Sequence, residues 1–389
     1  PYDFSLALGD PLSRLLRLPR LADEPPRLVR QRIIVSSLVA WLPLLVLSAM
    51  GGQAVRGQST AVPFLLDLEV HIRFLVTMPL LIAAETFAHR RLRFVSKSFL
   101  ERQLVPEPAL ARFNAAIASL TRLRNSVLAQ LLILAFVYIV GVLIIWRQYV
   151  ALDTATWYAT LSGDRPTLSL AGVWYGYVSL PLFQFVLCRW YFRFLIWTQF
   201  LWRVSRIGLA LVPTHPDRVG GLGFLSNTVY GFALIAVAHG AMVAGTLANR
   251  IFFLGAALPE FKVLIAAVVV FVVCLLTGPL LAFSPQLARA KRTGLREYGE
   301  LGARYVRQFD VKWLRGGRPA DEPLVGSGDV QSLADLANSF DIVRTMRIVP
   351  ATREMLLQIV GVTLAPIAPL ALTMMPLEEL LGALAGVLF

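Results

Sequence analysis

Two histidines and two carboxylates stand where apolar stretches of this 389-residue chain end. Glu85 and His89, in ETFAH (85–89), are four residues apart and so share one face of a helix. His215 and Asp217 lie in THPDRVGGLGF (214–224), beside an arginine and three glycines. Imidazole nitrogens and carboxylate oxygens gathered at one level would hold a divalent metal or pass protons. The spacing matches none of the common metal motifs. Arg90, Arg91 and Arg93 adjoin His89 and oppose a bound cation. The stronger expectation is therefore that Glu85 and Asp217 pair with nearby arginines. The loop itself reads as a turn, since Pro213 and Pro216 stop a helix and Gly220, Gly221 and Gly223 permit a sharp reversal. No cofactor other than such a metal is expected.

Three further constellations carry chemistry. His239, in LIAVAHGAMVAG (234–245), is an ionisable group within an apolar run, where it either serves a transport path or is held neutral by a hydrogen bond from a neighbouring helix. LLQIVGVTLAPIAPLALTMM (356–375) is polar but uncharged, with Gln358, Thr363, Pro366, Pro369 and Thr373. Its prolines remove backbone donors and leave carbonyls that suit a cavity wall. RWYFRFLIWTQFLWR (189–203) mixes Arg189, Arg193 and Arg203 with Trp190, Tyr191, Trp197 and Trp202. Such a mixture fits an aromatic belt with lipid-phosphate anchors, or a cationic vestibule for anions.

The elements that position these groups follow from composition. The chain is 57% hydrophobic and 16% charged, with mean hydropathy +0.65. Apolar runs near twenty residues can only be helices in a bilayer core, where no water satisfies the backbone. They predict an all-α polytopic membrane protein of about seven transmembrane helices, at 33–50, 71–88, 126–146, 168–188, 222–247, 263–284 and 355–375. With the N-terminus inside, 31 of the 37 Lys and Arg residues fall on cytoplasmic segments. That asymmetry places the chain in a cell membrane, the inner one in a bacterium, with a cytoplasmic N-terminus and an external C-terminus. It also accounts for the net charge of +13 without nucleic acid.

Four regions result. Residues 1–32 form a basic cytoplasmic segment without a signal-like core, with a surface helix near 12–20. Residues 33–284 hold six spans, extended inward at 89–125 and 189–218 into a cytoplasmic helical layer. A helix continuous over 108–146 would be about 58 Å long. Residues 285–354 add to that layer, and Ser327 or Asp329 would cap its last helix. Residues 355–389 give the last span and an amphipathic outer tail. Pro79, Pro181 and Pro279 precede the first inner arginines by 11, 8 and 10 residues, a hint of three repeated hairpins kinked at similar depth.

These features predict a channel or passive conduit for ions or small solutes, homo-oligomeric, with the last span lining the path. Its partners would be membrane lipids and further copies of the chain. The order of elements resembles that of the seven-helix insect olfactory receptor channels, a likeness of architecture that no residue motif carries. A secondary transporter using His239, Glu85 and His215 is the next reading. A membrane-embedded enzyme using Glu85, His89, His215 and Asp217, and a scaffold for a cytoplasmic partner, follow.

Overall fold

The computed structural model describes residues 26–55, 62–150, 156–162, 165–317, 319 and 321–374. The surface helix expected near 12–20 and the outer tail lie outside the described residues. Apart from an antiparallel pair, β1 (Ala159–Ser162) and β2 (Arg165–Leu168), the regular structure is helical. The helices are α1 (Pro26–Met50), α2 (Leu68–Glu101), α3 (Leu110–Arg124), α4 (Val127–Phe136, continued to Val150 in wider turns), α5 (Leu170–Ser205), α6 (Leu222–Leu254), α7 (Lys262–Thr277), α8 (Ser284–Phe309), α9 (Gly328–Arg344) and α10 (Arg353–Leu364). Five helical stretches are long and apolar enough to cross a membrane: Leu28–Met50, α2, α5, α6 and the run Leu258–Leu314. A pair bent by 50°, Glu107–Arg124 with Val127–Leu143, would make a sixth.

Two expected helices are broken, each for a local reason. Residues 108–146 are not continuous, because Ser126 adopts an extended backbone and its side chain caps Ala129 N–H, starting α4 afresh. The seventh expected span is also interrupted. α10 has 12 residues, about 18 Å of helix against a hydrocarbon core of about 30 Å. Pro366 and Pro369 follow, and the chain continues as a turn and a tighter helical segment, Ala368–Thr373.

α2 and α5 are built alike, 102 residues apart. Asp67 caps the first turn of α2 at Val70 N–H (3.2 Å), and Ser169 caps α5 at Gly172 N–H (2.9 Å). Each helix then opens into five residues of wider turns, Arg73–Thr77 and Tyr175–Ser179. Met78 N–H reaches back five residues to Arg73 O, and Leu180 N–H to Tyr175 O. Pro79 and Pro181 come next. The widening absorbs a break that a proline without an N–H imposes. Pro279 is different: it begins a tight turn after Gly278, and Phe283 in that turn stacks on Phe99 (6.1 Å), far along α2 from Pro79. Pro79 and Pro181 therefore correspond in the two helices, and Pro279 does not.

Phe99 is also the point where the elements meet at this end. Around it lie Phe113 of α3, Phe200 of α5 and Phe224 of α6, with centroids 5.0–6.5 Å away. Beyond this cluster α8 and α9 form a helical hairpin, its turn closed by Ser327 capping Asp329 N–H (3.1 Å) and by Tyr305 bonding Asp329 O (3.0 Å). We call this the hairpin end. The opposite end carries β1 and β2.

α6 and α10 approach until backbone meets backbone. A Cβ at Gly240 would run into the Thr363 carbonyl. Gly361, one turn from the junction, has open space around it. Gly240→Ala is expected to lower stability by about 1–3 kcal/mol. Gly361→Ala, which only gains helix propensity, should raise it by up to about 1 kcal/mol. Thermal unfolding in detergent measures both, and equal effects would remove the contact as the cause.

Candidate functional site

The largest concentration of buried charge is on α2, α5 and α1. Glu85 faces out of α2 into the protein and is only 5% exposed. Arg189 and Arg193 are one turn apart on α5 and so present one face. Arg193 Nη1 lies 2.8 Å and Arg189 Nη2 3.6 Å from Glu85 Oε1, while Arg32 Nη2 of α1 lies 3.1 Å from Oε2. Aromatic faces hold the guanidiniums: Arg193 lies over Trp190 (5.0 Å) and Arg189 over Phe185 (5.7 Å). Trp190 is fixed in turn by its indole N–H, which donates to Leu81 O of α2 (2.9 Å). Arg32 is the most open of the four, 28% exposed.

A second tier lies on α6. His239 is buried, and its Nδ1 is 2.7 Å from Ile235 O. A carbonyl cannot donate, so Nδ1 carries the proton and Nε2 accepts from the Tyr191 hydroxyl of α5 (2.9 Å). The imidazole is thus held neutral between two helices, with Phe271 against its ring. A third tier occupies the opposite end. Asp67 accepts from Trp157 Nε1 (2.8 Å) and from Asn249 Nδ2 of α6 (2.7 Å). Arg73 donates to both Tyr175 and Glu69. Arg73 and Tyr175 are the equivalent residues of the two alike helices, and they meet.

The 214–224 loop is organised by Asp217. Its Oδ1 accepts from Val219 N–H (2.9 Å) and Gly221 N–H (3.1 Å), and its Oδ2 from Gly223 N–H (2.8 Å). Arg218, Gly220 and Gly221 take left-handed backbone angles, φ 56°, 64° and 96°, to bring those donors round. His215 Nδ1 lies 2.9 Å from Asp217 Oδ1. Burial pushes the Asp217 carboxyl up, but the donors Val219, Gly223 and Gly221, with His215, outweigh it and hold its pKa below the ordinary value.

The four inner-face residues do not form one site. Glu85 belongs to the arginine cluster, with His89 buried one turn along α2, while His215 and Asp217 serve the loop. Among the described residues no group of three or more His, Cys, Asp or Glu side chains could hold a metal. The expected belt is also revised. Trp190 and Trp197 are fully buried, and Arg189 and Arg193 turn inward to Glu85; Arg203 bonds Ser119 of α3. Only Trp202 is half exposed, as a belt residue would be. In the last stretch Thr363 is wholly buried and donates to Ile359 O (2.7 Å). Gln358, Pro369 and Thr373 are exposed, and Pro366 is half-buried.

The third tier was not anticipated. Its residues, Asp67, Arg73, Trp157, Tyr175 and Asn249, are not among the candidates read from the sequence. The signal was the recurrence of L-D-L and V-T-M-P-L at 66–68 and 76–80 as L-S-L and V-S-L-P-L at 168–170 and 178–182. Comparison of the chain with protein-family models, curated proteins and solved structures gives no match.

Asp217 stabilises the fold in its ionised form. That contribution is complete above the ordinary aspartate pKa of about 3.9 and is lost as pH falls through the lowered folded value. Asp217→Asn should cost about 1–2 kcal/mol at neutral pH, and the difference from the parent should close below about pH 4. Melting curves from pH 3 to 7 test this; a gap that persists unchanged at pH 3 contradicts it.

Proposed function

We propose that the protein is a secondary transporter for a small solute, with its path along the seam of α1, α2, α5 and α6. The observation that carries this is the burial of polar groups at two levels of these helices: Asp67, Arg73, Tyr175 and Asn249 at one, and at the other Glu85 with its arginines on one face of α5 and Tyr191 with His239 on the opposite face. Ionisable groups in an apolar layer are costly and mark substrate or ion pathways. Arg73 and Glu85 are twelve residues apart on α2, about 18 Å of helix, and His239 and Asn249 ten apart on α6, about 15 Å. The tiers are buried and mutually bonded, as a carrier holds its site when closed to both sides. An open pore would leave them wet. We take the hairpin end as cytoplasmic, from the distribution of basic residues.

Vesicles containing the pure protein, adsorbed on a solid-supported membrane, give the test. Concentration jumps of protons, sodium, chloride, phosphate and acetate should include one that evokes a saturating transient current. His239→Gln is expected to reduce that current about tenfold or more, and Tyr191→Phe less. Parent-like currents from His239→Gln would remove the Tyr191–His239 pair from the path.

A second reading has its own observation. Glu354, Gln358, Gly361, Pro369 and Thr373 are exposed on α10 and the segment after it, interspersed with Leu357, Leu372 and Met374. Small and polar residues facing outward suit contact with another copy or a water-filled path between copies. A conduit of that kind would give sustained currents, blocked by a thiol reagent in Gln358→Cys or Thr373→Cys but not in the parent. A monomer by mass, with no block in either variant, would end this reading.

A further inference from the structure

The geometry points to the Glu85 cluster as a binding site for a small oxyanion, a carboxylate or phosphate, with Glu85 as a tethered occupant of that site. This rests on the transporter reading and names its substrate class. Three guanidiniums from two helices converge on the two oxygens of one carboxylate, at 2.8 and 3.6 Å on Oε1 and 3.1 Å on Oε2. Planar N–H forks match carboxylate and phosphate oxygens, and arginine is the residue that supplies them. The forks are set in place by more than Glu85. Trp190 and Phe185 hold two of them by their faces, Trp190 is pinned to Leu81 O, and all three arginines make further interactions. A receptor built before its ligand arrives loses little freedom on binding it. Arg32 is the most open member of the cluster, 28% exposed.

The charged groups that face the carboxylate are Arg32 from α1 and Arg189 and Arg193 from α5, with His89 one turn along α2 itself. An incoming oxyanion takes the place of the Glu85 oxygens on Arg193 and Arg189, and Glu85 swings aside on α2. No bond is made or broken and no proton moves. Only ion pairs are exchanged. The side chain of Glu85 thereby sets how tightly the site holds a solute.

Thermal unfolding of the full chain in detergent, titrated with sodium phosphate or sodium acetate, tests this against sodium chloride of equal ionic strength. Glu85→Gln should melt below the parent and be raised by phosphate or acetate at concentrations about tenfold lower than the parent requires, the ratio that loss of one competing charge-assisted hydrogen bond produces. Adding Arg193→Gln to Glu85→Gln should abolish the shift. If Glu85→Gln yields no folded protein, Glu85→Asp keeps the charge but shortens its reach, and should also bind more tightly than the parent. Equal shifts in the parent, the single variant and the double variant mean a general salt effect and overturn the site. So does the lack of any shift. Stabilisation by phosphatidylglycerol micelles but by neither free anion places a lipid headgroup there and overturns the solute assignment. Binding here without currents in the vesicle assay would leave the oxyanion site standing and remove the carrier; currents without binding would do the reverse.

Discussion

A carboxylate inside an apolar layer persists only with cations around it, and Glu85 imposes that condition on three helices at once. Its partners come from α1 and α5, so the pairing fixes the rotation and depth of both against α2. Removing one partner of such a pair strands the other charges, which costs about 3–5 kcal/mol where they stay buried. Replacing the whole set with apolar side chains of similar volume would cost little or even stabilise. A cluster retained under those terms contributes more through where it puts charge than through stability. That is why it, and not the aromatic core around Phe99, is the place to look for a solute.

The same constraint governs the backbone. Pro43 in α1 cannot bond Val39 O, and Trp174 Nε1 from α5 reaches that carbonyl (3.4 Å). Ser179 donates to Ala40 O beside it (2.7 Å). Pro181 leaves Tyr177 O without its usual donor, and the Tyr138 hydroxyl of the α4 continuation takes its place (3.1 Å). These two breaks are therefore also polar bonds to a neighbouring helix. In an apolar surrounding these bonds hold position at points where the helices themselves are weakest. The irregular turns in α2 and α5 open on the same polar tier, because Arg73 and Tyr175 are their first residues.

Much of this was legible in sequence, for identifiable reasons. The apolar runs announced the long helices, since a bilayer admits little else. His239 and Glu85 were visible as ionisable residues where apolar ones were expected. The pairing of Glu85 with arginine was foreseen in kind, but the partners were sought beside it in sequence, at Arg90 to Arg93, whereas they lie on other helices. Helical periodicity says which residues share a face and nothing about which helix that face meets. For the same reason Arg189 and Arg193, read as lipid anchors or as a cationic vestibule, could not be placed against Glu85. The break at Ser126 was missed because composition stays helix-compatible through it; only the extended backbone of a capping serine ends α3. The two-proline stretch after α10 was read as one kinked span when its prolines, three residues apart, end regular helix altogether.

The 214–224 loop joins three elements. Asp217 uses both carboxylate oxygens on the loop's own backbone, and the carbonyls of Asp217 and Arg218 turn outward. Arg218 O then accepts from Arg347 N–H (2.7 Å), and Asp217 O from the Arg347 guanidinium (3.2 Å). Lys291 of α8 bonds Met346 O in the same strand of chain (2.7 Å), and Gly294 of α8 sits against Pro213. One loop thus ties the start of α6 to the projecting hairpin and to the lead-in of α10. α6 carries His239 and Asn249, one in each of two polar tiers. The hairpin also reaches the end of α5 directly, where Gln286 of α8 donates to Ile207 O (2.7 Å). The side chains that seemed to offer chemistry in the loop are the ones that make the joint stiff.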